Sequence, residues 1–248
     1  MTPHASLLAP HRVYLHGWGL HGGIWSETLA ALPGTAPDLP GFGAVPAVTP
    51  YTAETLADAL AETLADPVHL IGWSLGGMVA LALAARHPDK VAKLVLVGAS
   101  PAFVNRPGWD HGLAPEVLAG FADSLRLDYR ATLLRFLSLQ ARGGDAAREV
   151  IGRLRETVFQ RGEPDAATLA VGLDLLRDVD LRAIASDIRC PALVVHGGYD
   201  MLCPAAAGRW LADRIPGARF ALRERAAHAP FLSHPRWFVE QAGSVLDE

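Results

Sequence analysis

Short apolar runs rich in Val, Leu and Ile occur near both ends of the chain and are absent from its middle. Each run is flanked by Gly, Pro or charged residues, which favours a buried strand over a helix. The runs that predict strands are Arg12–Leu15, Val68–Ile71, Val91–Val97, Ala192–Gly197 and Ala218–Arg223. Helical segments separate them, and alternation of buried strands with helices predicts a mostly parallel sheet covered by helices on both faces.

The helices that cover this sheet are predicted from apolar spacing and from their ends. Leu56, Leu60 and Leu64 recur at the helical interval behind Thr52, a residue type that favours an N-cap. Pro88 ends another apolar helix. The predicted core helices are 26–32, 52–65, 78–86, 210–215 and 235–246.

No apolar run that predicts a strand occurs between residues 103 and 181. Gly and Pro divide this stretch into four amphipathic segments, 115–127, 128–141, 145–159 and 164–177. So many helical residues between two strands indicate an inserted helical lid, which we call the cap. We therefore expect one α/β core formed by residues 1–102 and 182–248, with the cap at 103–181.

Composition excludes several classes of protein. The 248 residues are 50% apolar with a net charge of −4, as in a globular domain, and no apolar run is long enough to span a membrane. Met1–Pro10 lacks a secretory signal pattern. Cys190 and Cys203 form neither a metal spacing nor a disulfide framework. We expect a cytoplasmic monomer without metal, cofactor, nucleic acid or membrane partner.

One segment of this acidic chain is basic. Eight arginines between residues 126 and 161 face four carboxylates, which leaves a local charge of +4. Such a segment is typical of a surface that binds an anionic partner. A solvated helix face explains the same pattern equally well.

A Gly-x-Ser-x-Gly motif, Gly72 to Gly76, lies between the second strand and the helix after it. Strand, motif and helix in this order are typical of a nucleophile elbow, a tight turn that presents Ser74 at a helix N-terminus. An ordinary Gly/Ser loop is the simpler alternative, but it does not require the flanking elements. The elbow makes the Leu75 backbone N–H a candidate oxyanion donor, together with Trp18 in the His-Gly loop after the first strand.

Candidates for the acid and the base follow the elbow in the chain. Asp200 comes directly after the fourth strand and His228 lies in the loop after the fifth, so both lie at the carboxyl edge of the sheet. The order Ser, Asp, His is that of α/β hydrolases. We interpret His16 and His196 as structural residues and Asp38 as a turn former, behind a strand of weak β character.

Four motifs together resemble the α/β hydrolases and, more specifically, the pimeloyl-[acyl-carrier protein] methyl ester esterases of biotin synthesis. The motifs are His16-Gly17-Trp18-Gly19-Leu20, Asp38-Leu39-Pro40-Gly41-Phe42-Gly43, Gly72-Trp73-Ser74-Leu75-Gly76-Gly77 and Ala226-Ala227-His228-Ala229-Pro230-Phe231, with Arg135-Phe136-Leu137-Ser138-Leu139-Gln140 in the cap. The resemblance covers nearly the whole chain.

The resemblance implies a carrier-linked substrate and a set of contacts. Trp18, Leu75, Phe136 and Gln140 match positions that contact substrate, and Arg135 and Arg148 match positions that contact the carrier protein on the cap. The implied reaction is hydrolysis of the methyl ester of pimeloyl-[acyl-carrier protein] by a Ser-His-Asp acyl-enzyme mechanism. A carboxylesterase of broad specificity for short and medium soluble esters would use the same triad. A homologue that binds a ligand without catalysis would not need it.

Overall fold

A parallel β-sheet forms the centre of the computed structural model, which describes residues 11–247. Its five strands in this range are β1 (Arg12–Leu15), β2 (Val68–Trp73), β3 (Val91–Val97), β4 (Ala192–Gly197) and β5 (Arg219–Arg223). They lie in that order across the sheet and every neighbouring pair is parallel. Since the carboxyl ends of parallel strands share one edge, the loops after β2, β4 and β5 meet there. The predicted α/β class is confirmed.

Helices pack on both faces of the sheet. The core helices of the described range are α1 (Ser26–Ala31), α2 (Ala53–Thr63), α3 (Leu75–Arg86), α8 (Ala205–Arg214), α9 (Pro230–Ser233) and α10 (Pro235–Leu246). On one face α3 packs against α2, and on the other α10 packs against α1 and the strands β3 and β4. Single-turn 3₁₀ helices span Gly22–Trp25 and Pro88–Lys90, and a longer one spans Arg182–Asp187.

Four helices lie between β3 and β4, where the sequence predicts the cap. They are α4 (Pro115–Leu127), α5 (Tyr129–Leu139), α6 (Ala147–Val158) and α7 (Ala166–Asp178). Their apolar side chains join the same hydrophobic core as the sheet, with Leu133, Phe136 and Leu169 almost fully buried. The cap is therefore packed onto the core and not attached by its ends alone.

The segment before Asp38 does not form a strand. Thr35 makes an isolated bridge with Val13, in which Tyr14 N donates to the Thr35 carbonyl at 2.9 Å and Thr35 N donates to the Arg12 carbonyl at 2.8 Å. The weak β character of this segment thus leaves β1 at the edge of the described sheet.

The predicted start of one core helix differs from the structure. Helix α8 begins at Ala205, five residues before the predicted start. The absence of a secretory signal was predicted from Met1–Pro10, which lie outside the described residues.

Candidate active site

Ser74 occupies a strained turn between β2 and α3. Its φ is 56° and its ψ is −119°, a left-handed value that a residue with a side chain adopts only when its surroundings impose it. A Cβ placed on Gly72 would lie 2.3 Å from the Gly76 carbonyl oxygen, and one placed on Gly76 would lie 2.5 Å from the His16 carbonyl oxygen. Both glycines are therefore required by close backbone approach, as a nucleophile elbow demands.

His228 and Asp200 form a buried hydrogen-bonded pair. His228 Nδ1 lies 2.7 Å from Asp200 Oδ2, and both side chains are almost fully buried. The other oxygen of Asp200 accepts the backbone N–H groups of Leu202 at 3.0 Å and Cys203 at 2.8 Å. These bonds satisfy both carboxylate oxygens, and an ionised Asp200 orients His228 so that Nδ1–H donates to it.

His228 and Ser74 lie beside the same strand end. Trp73, the residue before Ser74, donates its indole N–H to the His228 carbonyl at 2.9 Å. Ser74 N donates to the Val97 carbonyl at 3.0 Å, and a Cβ on the next residue, Gly98, would lie 3.1 Å from His228 Nδ1. His228 Nε2 is buried without a hydrogen-bond partner among residues 11–247. This nitrogen is thus free to accept the proton of a nucleophile.

The His-Gly loop after β1 lies against the elbow. A Cβ on Gly17 would lie 3.3 Å from Ser74 Cβ, so the backbone that leads to Trp18 passes beside Ser74. Leu75 is the first residue of α3, where helix geometry leaves N–H groups without acceptors. The Trp18 N–H likewise donates to no acceptor within the described range. Two free donors next to Ser74 match the requirement of an oxyanion hole.

His16 stabilises this loop as a neutral imidazole. Its Nε2 accepts the Leu39 N–H at 2.9 Å, so Nδ1 carries the proton and donates to the Gly17 carbonyl at 2.9 Å. Burial lowers the pKa of His16 to about 4, because the charged form is poorly solvated there. The role agrees with the structural one predicted for His16.

The substrate-contact candidates come from both the core and the cap. The rings of Trp18 and Phe136 meet edge to face, 4.8 Å apart, and both side chains are 1% exposed. Trp18 also donates its indole N–H to the Leu169 carbonyl of α7 at 3.0 Å. Gln140 is buried, and its Oε1 has no partner among residues 11–247. The substrate-contact candidates thus include two packed aromatic rings and one amide oxygen without a hydrogen-bond donor.

The eight cap arginines between residues 126 and 161 fall into two groups of four. The side chains of the first group pair with carboxylates: Arg126 with Asp123, Arg130 with Glu163, Arg153 with Glu27 and Glu149, and Arg161 with Asp38. Within the described range the second group has no carboxylate partner: Arg135, Arg142, Arg148 and Arg155, all exposed. Both predicted carrier contacts, Arg135 and Arg148, belong to the second group. The local excess of positive charge is therefore carried at the surface.

Asp38 has a role that sequence reasoning missed. Its carboxylate accepts the Gly22 N–H at 2.8 Å and the Arg161 guanidinium at 2.6 and 2.7 Å. Burial alone would raise the pKa of Asp38, but these two donors outweigh it and the pKa falls below 3.8. Asp38 thus ties the core to the cap as well as forming a turn. The sequence carries no signal for this contact, because Arg161 lies 123 residues away.

Two features are absent from the described part of the chain. No group of three or more His, Cys, Asp or Glu side chains there could hold a metal ion. Among the same residues, no helix is both long and apolar enough to cross a membrane.

Comparison with protein families gives a match to the α/β hydrolase fold over residues 10–235. A pimeloyl-[acyl-carrier protein] methyl ester esterase of Aromatoleum aromaticum is 47% identical over 235 residues, which cover 91% of this chain and 94% of the relative. The enzyme of that name from Chromobacterium violaceum is 43% identical and covers 96% of this chain and 94% of the relative.

Solved structures give the same fold. An esterase from Exiguobacterium antarcticum superposes with a TM-score of 0.87 at 24% identity, over 97% of this chain and 93% of that one. An enol-lactonase from Burkholderia xenovorans superposes with a TM-score of 0.83 at 28% identity, over 97% and 92% of the two chains.

Proposed function

The chain belongs to the α/β hydrolase family and, within it, to the pimeloyl-[acyl-carrier protein] methyl ester esterases, and from that premise we propose that Ser74, His228 and Asp200 hydrolyse a carrier-bound methyl ester. The chain is a carboxylic ester hydrolase. The observation that carries the catalytic assignment is the buried His228–Asp200 hydrogen bond beside the strained backbone of Ser74. The expected product is the free pimeloyl carboxylate of biotin synthesis.

The proposed mechanism has two halves. In the first, His228 Nε2 takes the Ser74 proton while Ser74 Oγ attacks the ester carbonyl, and the imidazolium then gives this proton to the departing methoxide, which leaves as methanol. In the second, His228 takes a proton from water, the hydroxide attacks the acyl-enzyme, and the proton returns to Ser74. Asp200 stabilises the imidazolium in both halves.

The oxyanion of each half would be stabilised by the backbone N–H groups of Trp18 and Leu75. One such donor contributes about 3–4 kcal/mol to the transition state. Trp18, Leu75, Phe136 and Gln140 would contact the pimeloyl chain, with the aromatic pair of Trp18 and Phe136 against its methylene groups.

We also propose that the carrier protein docks on the cap, residues 103–181, while residues 1–102 and 182–248 form the catalytic core. Exposed arginines without a carboxylate partner among residues 11–247, Arg135 and Arg148 among them, support this docking, since they can pair with an acidic partner. Arg135 is already held in place, because its guanidinium stacks 4.7 Å over the Phe121 ring and donates to Ser124 Oγ at 3.2 Å. The enzyme would act as a cytoplasmic monomer.

The decisive experiment compares kcat/KM for carrier-bound pimeloyl methyl ester and for the same ester free in solution. The ratio of the two should fall at least tenfold in the double variant Arg135→Glu, Arg148→Glu, and the loss should shrink with added salt. The matched control is Arg126→Glu, Arg177→Glu, which changes the cap charge equally at two arginines with carboxylate partners. Its ratio should change less than threefold.

Two outcomes would contradict the docking proposal. An equal fall in both double variants would show that only the total charge of the cap matters. An unchanged ratio would favour the alternative, a carboxylesterase of broad specificity for short and medium soluble esters. The similarity of the chain to esterases argues against a protein that binds a ligand without catalysis. A burst of p-nitrophenol from a p-nitrophenyl ester, which marks formation of an acyl-enzyme, would exclude such a protein.

A further inference from the structure

The backbone of the proposed catalytic histidine is hydrogen-bonded to the cap. His228 N donates to the Gln140 carbonyl, which follows the last residue of α5, at 2.9 Å. The opposite side of the same residue is held by the core, because the His228 carbonyl accepts the Trp73 indole N–H at 2.9 Å. The loop that presents His228 is therefore fixed between two parts of the molecule.

The next cap residues also press on this loop. A Cβ placed on Gly144 would lie 2.9 Å from Ala227 N and 3.0 Å from Ala227 Cβ. Only a glycine allows so close an approach of the cap backbone to the residue before His228.

A third contact joins the end of this cap segment to the start of the His228 loop. Asp145 N donates to the Arg225 carbonyl at 2.8 Å, and the Asp145 carboxylate pairs with the Arg225 guanidinium at 3.0 Å. Six consecutive cap residues, 140–145, thus meet residues 225–228 at three successive points. Both segments lie outside regular helices and strands, so the His228 loop takes its shape from these contacts more than from its own backbone pattern.

We propose that residues 140–145 of the cap are a positioning segment that sets the orientation of His228, so that the rate of the chemical step depends on how the cap is seated. The inference rests on the proposed Ser-His-Asp mechanism and deepens it. Proton transfer requires the imidazole within hydrogen-bond reach of both partners, and a displacement of about 1 Å can lower a rate by about a hundredfold.

Regulation by the partner follows from where the segment lies. Arg142 is part of it and Arg148 lies three residues beyond it, and both are exposed arginines without carboxylate partners in the described range. An acidic carrier that docks on these two side chains pulls on the segment that holds His228. Carrier binding therefore acts on kcat as well as on KM.

The first test uses Gly144→Ala and a free p-nitrophenyl ester, which needs no carrier. The φ of Gly144 lies outside the left-handed region, so the alanine acts through its contact with Ala227. We expect kcat to fall at least tenfold with KM changed less than threefold, and phosphonylation of Ser74 by a small organophosphonate to slow by the same factor. The matched control is Gly152→Ala in α6, where an added Cβ meets no atom within 4 Å; its kcat should stay within twofold.

The second test keeps the proposal falsifiable if Gly144→Ala does not fold. Asp145→Ala, Arg225→Ala and the double variant should each lower kcat about threefold without adding, because all three remove the same ion pair. Asp123→Ala breaks an ion pair within the cap and should leave kcat unchanged. A folded Gly144→Ala enzyme of wild-type kcat, or additive effects at residues 145 and 225, would overturn the proposal. If instead the proposed Ser-His-Asp mechanism were wrong, a Ser74→Ala enzyme would remain active. The two failures can therefore be distinguished.

Discussion

At the residue scale, the backbone of Ser74 is strained, and the same turn that strains it presents the hydroxyl at a helix N-terminus. Its left-handed φ of 56° stores on the order of 1–3 kcal/mol of strain. The strain is maintained by the packed turn around it, since Gly72 and Gly76 each approach another backbone segment too closely for a Cβ. The turn presents the hydroxyl at the start of α3, where the helix dipole favours a developing negative charge.

The first prediction concerns this residue and its partners. Ser74→Ala should abolish ester hydrolysis, because no other nucleophile replaces the hydroxyl, and Asp200→Asn should lower kcat by several orders of magnitude, because an amide favours the wrong tautomer of His228. Both are measured as kcat on a p-nitrophenyl ester, with folding checked by circular dichroism. A folded Ser74→Ala enzyme within tenfold of wild type would refute the assignment, and a mild effect at Asp200 would point to another carboxylate.

The proposed triad could be predicted from sequence because each member follows a strand of the same sheet. Strand ends are recognisable in a single sequence, and parallel pairing brings them to one edge. The support of the triad could not be predicted in this way. The contact of His228 N with the Gln140 carbonyl joins two backbone groups 88 positions apart, and backbone groups carry no residue-type signal.

At the scale of elements, helix α8 shows why a boundary was missed. Gly208 lies inside it, ahead of the predicted start at Trp210, and glycine is among the poorest helix formers. In the structure Gly208 packs against the buried ring of His196: a Cβ there would lie 2.1 Å from His196 Nδ1. The contact with His196 thus requires a glycine at position 208, and the helix forms in spite of the low helix propensity of this residue. By contrast, Thr52 caps α2 as predicted, since its hydroxyl accepts the Thr55 N–H at 3.2 Å.

The second prediction concerns the contact between Asp38 and the cap. Asp38→Asn should lower the free energy of unfolding at pH 7 by about 1.5 kcal/mol, because it removes a charge-assisted hydrogen bond from Arg161. The value lies at the low end of the range, since the Arg161 side chain is 46% exposed and solvent screens the pair. Denaturant unfolding measures the difference, with Asp123→Asn, at a fully solvated ion pair, as the control.

The pH dependence of this difference in stability follows from the direction of the pKa shift of Asp38. The pKa of Asp38 is lower in the folded protein than its ordinary value of 3.8, so the stabilisation is complete above pH 3.8 and is lost as the pH falls through the folded value. The wild type and Asp38→Asn should therefore differ equally at pH 7 and pH 5. A difference that had already vanished at pH 5 would show that the contact with Arg161 does not stabilise the folded protein.

At the scale of the whole molecule, core and cap share one hydrophobic interior and several polar contacts. His21 Nε2 donates to the Thr157 carbonyl of α6 at 2.7 Å, and the ion pair of Arg153 with Glu27 also joins α6 to α1. Ser74 is only 6% exposed beneath this interface. Ser74 therefore has little direct exposure to solvent in this arrangement of core and cap.

The last prediction is that stability falls on acidification well before the carboxylates titrate. Burial lowers the pKa of His16, His69 and His196 to about 4 from an ordinary value of 6.5. Between these two values the unfolded chain binds more protons than the folded one, so the free energy of unfolding falls as the pH falls. Each histidine should remove about 1.5 kcal/mol between pH 6.5 and pH 5. Depressed carboxylate pKa values act only below about pH 4, which separates the two effects.

Urea unfolding at pH 7, 6 and 5 measures this loss, and His69→Gln provides the variant because His69 is buried at β2 away from the proposed triad. The variant should start from a lower stability at pH 7, since it disturbs a packed position, but should lose less stability on acidification than the wild type. A wild-type stability that stays level from pH 7 to pH 5 would mean that these histidines bind protons as readily in the folded protein as in the unfolded chain. Burial without a charge partner would then not control their protonation.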